Sequence, residues 1–265
     1  MERQTYRTLS RDSGLSKSSL QPLFYTYLDL SAEVKIIKRS AVNMRMDATC
    51  FKQFCVLCYQ DNEDGYTQLI RITDGEHYSE IKEDPDNLIT LGVQIERITT
   101  DGRKSALKAI RKSLPDVTVQ RCLVPIERMC LLWLTRFPKH YAAIELRALV
   151  LMLLKISTHN DRLYRTNQLQ LWFMKYQEYL KEKTFNEHTG RYWYKHKLLR
   201  RSYFTIKRAL PNRFHYLTNP KIPATTNGIE GYFGHLKNHL DLHRGLSAKH
   251  RVNFLKWYIC LSNNK

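Results

Sequence analysis

Between residues 43 and 124 the sequence alternates between strand-type and helix-type patterns in an order that few folds can accommodate. Three short runs rich in β-branched and aromatic residues come first, bounded by turn dipeptides such as Asp64-Gly65 and Asp74-Gly75. Apolar residues at helical spacing and further alternating runs follow them. We predict, in order, strands over 43–50, 53–60 and 66–73, a helix over 76–91 interrupted near Pro85, a strand over 94–100, a helix over 103–114 and a strand over 117–124.

Connection lengths then limit the topology of this region. The first three strands are joined by short connections, which predicts an antiparallel meander, and the later strands alternate with helices. This β-β-β-α-β-α-β order is that of a ribonuclease H-like fold, an α/β arrangement in which helices cover a mixed sheet. No strand pattern recurs from about residue 126 to 210, where long apolar periodicities predict an all-helical insertion. We therefore expect a ribonuclease H-like domain over 40–260 with a helical insertion over about 126–210.

Residues 1–30 have the pattern of two short helices separated by Gly14, with a serine at the start of the second helix. Leu9, Leu15 and Leu20 would form a small core between them. Two interpretations are open: a partial helix-turn-helix-like DNA-binding segment, or a helical hairpin without that role.

The charge of the chain is distributed unevenly. Residues 155–265 contain twenty-one Lys or Arg and six Asp or Glu, whereas residues 41–154 contain fifteen of each. A regional excess of +15, interleaved with Tyr and Trp, indicates a polyanion partner and favours nucleic acid over a merely solvated basic surface. Trp172, Trp193 and Tyr194 either stack on bases or pack helices together. The candidate DNA-contacting residues are Lys17, Arg191, Lys195, Lys197, Arg200, Arg201, Asn227, Lys237, His243 and Arg244.

Neither a membrane span nor a secretion signal is apparent in the sequence. The longest apolar stretch, residues 148–154, is far shorter than the roughly 18 to 20 residues that a spanning helix needs. We therefore expect a cytoplasmic protein and six reduced cysteines. Cys55 and Cys58 form a C-x2-C pair, but residues three apart on a strand face opposite sides, which argues against zinc.

Three carboxylates occupy positions that this topology would bring together. Asp47 lies inside the first predicted strand, Asp101 ends the fourth, and Glu230 falls in the first turn of a helix that begins after Thr225-Thr226-Asn227. In a ribonuclease H-like sheet the first and fourth strands are neighbours. Taken singly, each residue also has an ordinary explanation as a turn, a surface charge or a partner of a helix dipole. Their joint placement predicts one acidic site.

An acidic site of this kind needs a cation, because three converging carboxylates repel one another. Oxygen ligands suit Mg²⁺ or Mn²⁺, and two such ions about 3.5 to 4 Å apart can support an in-line displacement at phosphorus. We therefore predict that two divalent ions bind at this site. Their ligands, and the catalytic residues, are Asp47, Asp101 and Glu230.

The same residues carry a resemblance to a known family, which covers most of residues 40–260. The chain resembles the Mutator-like insertion-sequence transposases of bacteria, which are DDE enzymes with a ribonuclease H-like catalytic domain and a helical insertion before the final Glu. The segments that carry the resemblance are the strand around Asp47, residues 99–110, residues 119–122, residues 225–233 and His243-Arg244-Gly245-Leu246-Ser247.

The resemblance implies strand cleavage at the ends of a mobile element and strand transfer into target DNA, with terminal inverted repeats and target DNA as partners. It also implies a homo-oligomer on DNA and a nucleoid-associated bacterial protein. The chain departs from the family at Pro125, where a C-x2-H signature would place His. Two alternatives are a nuclease that cuts without rejoining, and a catalytically defective or repurposed DNA-binding protein derived from a transposase. His235, His239 and His243 are predicted to share a helix face that contacts DNA rather than zinc.

Overall fold

The computed structural model describes residues 5–264, and its elements largely follow the predicted order. The strands are β1 (Arg39–Cys50), β2 (Cys55–Asp61), β3 (Thr67–Thr73), β4 (Val93–Thr100), β5 (Thr118–Arg121), β6 (Lys183–Asn186) and β7 (Arg191–Tyr194). The α-helices are α1 (Tyr6–Ser13), α2 (Lys17–Asp29), α3 (Tyr78–Thr90), α4 (Lys104–Ser113), α5 (Leu123–Leu134), α6 (Tyr141–Leu151), α7 (His159–Lys181), α8 (Lys197–Ala209), α9 (His215–Thr218), α10 (Asn227–Leu240) and α11 (Ala248–Asn263). Single 3₁₀ turns follow α6 and α8.

The expected mixed sheet is confirmed: it has five strands in the order β3-β2-β1-β4-β5. β1 pairs antiparallel with β2 and parallel with β4, and β2 pairs antiparallel with β3. The fifth strand is shorter than the predicted 117–124, because α5 begins at Leu123. Pro125 explains the difference, since a proline has no N–H for a strand ladder but is tolerated in the first turn of a helix.

The chain divides into two compact units, the first formed by the residues up to Thr118 together with those from Thr226 on. In this unit α10 follows a helical apolar repeat, and Ile229, Phe233, Leu236 and Leu240 are all at most 3 % exposed. They belong to a cluster that includes Val56 of the sheet. Burial of each such side chain contributes about 1.5 to 3 kcal/mol, so this face fixes the position of α10 on the sheet.

The second unit comprises Val119–Thr225 and contains the predicted insertion range. Its core is helical, and Trp172 lies in it at 3 % exposure, donating its ring N–H to the carbonyl of Ala142 at 2.9 Å. Of the two interpretations of Trp172, the structure supports packing.

The prediction that residues 126–210 are all helical is wrong, because β6 and β7 form an antiparallel hairpin. Its strands have only four residues each, too short a run to give a visible alternation. Gly190, with φ 63°, takes a left-handed conformation in the turn, where a glycine meets no steric penalty.

The two N-terminal helices form as predicted, with Gly14 at φ 71° between them and Ser16 capping α2. The small leucine core does not form as expected, since Leu15 is 44 % exposed. Instead α2 is anchored to α11: Asn253 Nδ2 donates to the carbonyl of Leu28 at 2.8 Å, and Trp257 Nε1 to that of Tyr27 at 2.9 Å. The side chains that pair with α2 thus come from a helix more than 200 residues away in sequence.

The prediction of six reduced cysteines is wrong for one pair, because Cys50 and Cys55 form a disulfide. They close the β1–β2 hairpin as directly opposed residues, with Cα atoms 4.0 Å apart. The other four, Cys58, Cys122, Cys130 and Cys260, are not disulfide-bonded. None of the helices within residues 5–264 is long and apolar enough to cross a membrane.

Candidate active site

Asp47 and Asp101 are carried by two neighbouring parallel strands. Arg45 of β1 lies opposite Thr99 of β4, so Asp47 and Asp101, each two residues further along, come at the same level of the sheet. Asp101 directly follows the last residue of β4. Parallel strands end at the same edge of a sheet, and the prediction that the first and fourth strands are neighbours is confirmed by their pairing.

Glu230 reaches the same region because α10 packs against β1. A methyl group built on Gly228 would lie 1.8 Å from Nη1 of Arg45, so only a glycine admits this guanidinium beside the first turn of the helix. Arg45 is held there by Gln60, whose side-chain oxygen accepts a hydrogen bond from its Nη2 at 2.9 Å. Since residues two apart on a strand share a face, Asp47 faces the same side of the sheet as Arg45 and α10.

The electrostatics of Asp47 show that the predicted carboxylates act on one another. Burial raises its pKa to about 7, and the negative charges of Asp101, Glu230 and Glu76 add to this rise. One interaction opposes it: the backbone N–H of Ala48 donates to Asp47 Oδ1 at 2.9 Å. A half-buried carboxyl with like charges around it is costly to ionise, and this is the setting in which a bound cation is most stabilising.

A fourth carboxylate, that of Glu76, and the positively charged side chain of Arg103 also belong to this cluster. Arg103 Nε lies 3.0 Å from Asp101 Oδ2, and its Nη1 lies 2.5 Å from Glu76 Oε1. The backbone N–H of Arg103 also donates to Asp101 Oδ1 at 2.9 Å. Burial raises the pKa of Glu76, the positive charge of Arg103 lowers it, and Asp101 raises it. Arg103 thus bridges two carboxylates of the cluster.

Sequence reasoning missed both Glu76 and Arg103. Glu76 was only the start of a predicted helix, whereas in the structure it precedes α3 and its carboxylate pairs with Arg103. Arg103 stands two residues after Asp101, a spacing at which an Asp side chain commonly accepts from the backbone, and this was the one available signal.

The donor set fits a hard divalent cation. Asp47, Asp101, Glu230 and Glu76 offer only carboxylate oxygens, which suit Mg²⁺ or Mn²⁺ and not the softer metals that thiolates or imidazoles select. As the side chains stand, no three His, Cys, Asp or Glu residues within 5–264 are grouped closely enough to enclose a metal ion. The raised pKa of Asp47 is the observation that speaks for a cation, because a positive charge would relieve the repulsion that causes part of it.

Two of the predicted DNA-contacting residues, Lys237 and Arg244, line one open cavity of about 500 Å³. Lys52 and Arg251, which the sequence did not single out, line it as well, and Asp241 is its one acidic residue. Four cations around one concave surface form a suitable site for phosphate groups. Asn227 and Lys17 are exposed, each as the first residue of its helix, α10 and α2.

The prediction for His243 is wrong in its geometry. α10 ends at Leu240, so His243 lies beyond the helix and shares no helix face with His235 and His239. Its ring stacks on Phe24 with centroids 4.8 Å apart, and burial lowers its pKa. His243 is therefore placed for packing against the N-terminal helices.

The remaining candidate cations lie in the second unit, which carries twenty Lys or Arg and six Asp or Glu, a net charge of +14. Arg200 is half-buried, with its guanidinium 4.0 Å from the ring centre of Tyr194 and 4.7 Å from that of Phe204. The Arg201 guanidinium lies 4.3 Å from the ring of Trp133. The other candidates are all exposed: Arg191, Lys195 and Lys197.

In the absence of metal, Asp47 is expected to make the chain less stable as pH rises from about 4 to about 7. An unfolded Asp ionises near its ordinary pKa of 3.8, whereas folded Asp47 ionises at about 7, so the folded state holds the extra proton between these values. This contribution to stability is complete below the lower pKa and is lost on passing the upper one. Asp47→Asn should remove the dependence and exceed the wild type in stability at about pH 8. Thermal unfolding of both proteins across this range is the measurement, and parallel pH profiles would contradict the assignment.

The chain matches no protein-family model, and comparison with curated proteins also returned no match.

Proposed function

We propose that the chain is a DDE-type DNA transposase that cleaves DNA at the ends of a mobile element and transfers the freed strand into target DNA. The observation that carries this proposal is the convergence of the charges of Asp101 and Glu230 on Asp47, whose pKa they help to raise to about 7. The parallel pairing of β1 and β4, and the contact of α10 with Arg45 of β1, support the proposal.

The order of the sheet supports a ribonuclease H-like assignment for this proposal. Its central strand β1 carries the first carboxylate, β4 leads to the second, and the second unit lies in sequence between β4 and the helix with the third. The proposal includes double-stranded DNA as partner, assembly of more than one copy on DNA and a cytoplasmic location.

In the proposed reaction Asp47, Asp101 and Glu230 are the metal ligands, and Glu76 lies beside them. Bound divalent ions would supply an activated water and stabilise the departing 3′-oxygen. Asp47 would be held ionised by the positive charge, and Asp101 would exchange its contact with Arg103 for the metal. Lys52, Lys237, Arg244 and Arg251 would hold backbone phosphates in their cavity, positioning the strand without reading its sequence.

One observation favours the alternative of a DNA-binding protein without catalysis. Arg103 forms ion pairs with Asp101 and Glu76 and so offsets part of their negative charge without a metal. A chain that no longer bound metal would therefore keep this ion-paired cluster and its basic surfaces. The two functions differ in what a divalent ion does to the protein.

The deciding experiment is cleavage of labelled DNA that carries the element's own ends, in Mg²⁺ or Mn²⁺ and in EDTA. We expect nicks at the ends that require metal, and joined products when target DNA is added. Tight binding of the same DNA without cleavage in either metal would reject the enzyme and leave the DNA-binding alternative.

Arg103→Ala is expected to raise the affinity of the chain for Mn²⁺ by about three- to tenfold. The guanidinium competes with the metal for Asp101 and Glu76, and partly exposed ion pairs of this kind are worth about 0.2 to 1 kcal/mol each. Calorimetric titration with Mn²⁺ measures the change. Arg111→Ala is a suitable control, because Arg111 is an exposed arginine on α4, outside this cluster. An unchanged or weaker affinity in Arg103→Ala would show that the guanidinium does not compete.

A further inference from the structure

The β6–β7 hairpin of the second unit presents an exposed aromatic face. Lys183 lies opposite Tyr194, and Phe185 opposite Tyr192, so these four side chains share one side of the hairpin. Phe185 is 47 % exposed and Tyr192 is 70 % exposed, although their rings are only 4.8 Å apart. Two adjacent rings left open to water on one face are characteristic of a contact surface.

Cations lie beside these rings. Lys183 Nζ is 5.5 Å from the centre of the Tyr194 ring, and the Arg200 guanidinium of α8 is 4.0 Å from it. Tyr194 is therefore engaged by cations, while Phe185 and Tyr192 keep exposed ring surface. The face consists of two open rings with two positive charges beside Tyr194, a combination of groups that suits a chain of bases and phosphates.

The net charge of the second unit indicates which kind of partner can bind to this face. The surrounding unit has a net charge of +14, so a second copy of the chain would bring like charge against it. A polyanion is the complementary partner. Base pairs in a duplex hide their ring faces from side chains, whereas unpaired nucleotides expose them for stacking.

We propose that Lys183, Phe185, Tyr192 and Arg200 form a binding face for unpaired nucleotides of single-stranded DNA. Phe185 and Tyr192 stack on the bases, and Lys183 and Arg200 contact the phosphates. This inference rests on the proposed DNA partner but does not depend on strand cleavage, and it assigns the hairpin a preference for single strands over duplex.

The test uses the full chain and measures the fluorescence anisotropy of a labelled fifteen-nucleotide thymidine strand and of a duplex of the same length. Phe185→Leu/Tyr192→Leu keeps apolar side chains and every charge but removes both rings. Because each base–aromatic stack contributes to single-strand affinity, we expect that affinity to fall by about tenfold or more while duplex affinity stays within about twofold. Phe185→Trp/Tyr192→Trp should restore the single-strand affinity.

The matched control is Phe137→Leu/Tyr164→Leu, which removes two exposed aromatic rings elsewhere in the same unit, 80 % and 56 % exposed. It should leave both affinities unchanged. Equal single-strand binding by the hairpin variant and the wild type would overturn the inference, as would an equal loss of single-strand and duplex binding. Conversion of a wild-type dimer to a monomer by the Leu variant, seen by sedimentation, would also overturn it in favour of a protein interface.

Failure of this inference and failure of the proposed function are distinguishable. If the protein nicks duplex ends with metal but binds single strands independently of Phe185 and Tyr192, only the role of the hairpin is rejected. If it binds single strands through these rings but does not cleave DNA with metal, only the proposed catalytic function is rejected.

Discussion

Asp101→Asn is expected to lower metal-dependent cleavage of DNA by at least about 1,000-fold, equivalent to about 4 kcal/mol of transition-state stabilisation. The substitution keeps the shape of the side chain and its place at the end of β4 but removes the charge that would hold the metal. Asp47→Asn and Glu230→Gln should have the same effect, because the three carboxylates act on one centre. Rates of nicking at the element ends in Mg²⁺ and Mn²⁺ measure it.

Binding of DNA separates this prediction from a simple loss of folding. Each of the three variants should bind duplex DNA nearly as tightly as the wild type, since the candidate phosphate contacts come from other residues. Asp116→Asn, at an exposed carboxylate between α4 and β5, is the matched control and should cleave normally. If Asp101→Asn cleaves DNA as fast as the wild type does, Asp101 is not a catalytic residue.

Gly228→Ala is expected to destabilise the protein by about 1 to 3 kcal/mol, because the half-buried, charged guanidinium of Arg45 would be displaced from its hydrogen bond to Gln60. The new methyl group would lie 1.8 Å from Nη1 and 3.0 Å from Cζ of Arg45, so the guanidinium must leave its position and its hydrogen bond to Gln60. Any shift of the first turn of α10 moves Glu230 with it, and cleavage should fall together with stability. Chemical denaturation of the wild type and variant measures the free energy of unfolding.

Two other glycines of α10 provide control substitutions, for which we expect an increase in stability. Added methyl groups at Gly231 and Gly234 would meet nothing within 4 Å. Ala at either position should therefore stabilise the chain by about 0.5 to 1 kcal/mol, the usual gain over Gly in a helix. In an Arg45→Ala background the penalty of Gly228→Ala should disappear, because the clashing group is gone. A penalty that persists there would show that it arises elsewhere than at Arg45.

Much of the fold was predictable because local patterns agree with it. The alternation of strands and helices over 43–114 and the apolar repeat of α10 each indicate their element directly. The errors arise where a short segment depends on its surroundings. β6 and β7 have four residues each and are stabilised by their pairing, and α10 ends at Leu240 although His243 continues its spacing.

The candidate site was predictable to the extent that it follows from strand order. Asp47 and Asp101 are fixed by the register of β1 and β4, which the topology anticipated. Glu76 and Arg103 depend on side-chain directions in the loops after β3 and β4, which no periodicity encodes. The Cys50–Cys55 disulfide depends on the hairpin register, whereas the expectation of free thiols came from composition and compartment alone.

The first unit is discontinuous along the chain, and this has a consequence for synthesis. Val56 and Cys58 of β2 are buried with Ile229 and Phe233 of α10, which the ribosome makes about 170 residues later, roughly 10 to 30 seconds at ordinary translation rates. Until then the sheet lacks its apolar cover and its third predicted carboxylate. The second unit ends at Thr225, so all of it has been synthesised before the sheet can receive α10 and before the acidic cluster can acquire Glu230.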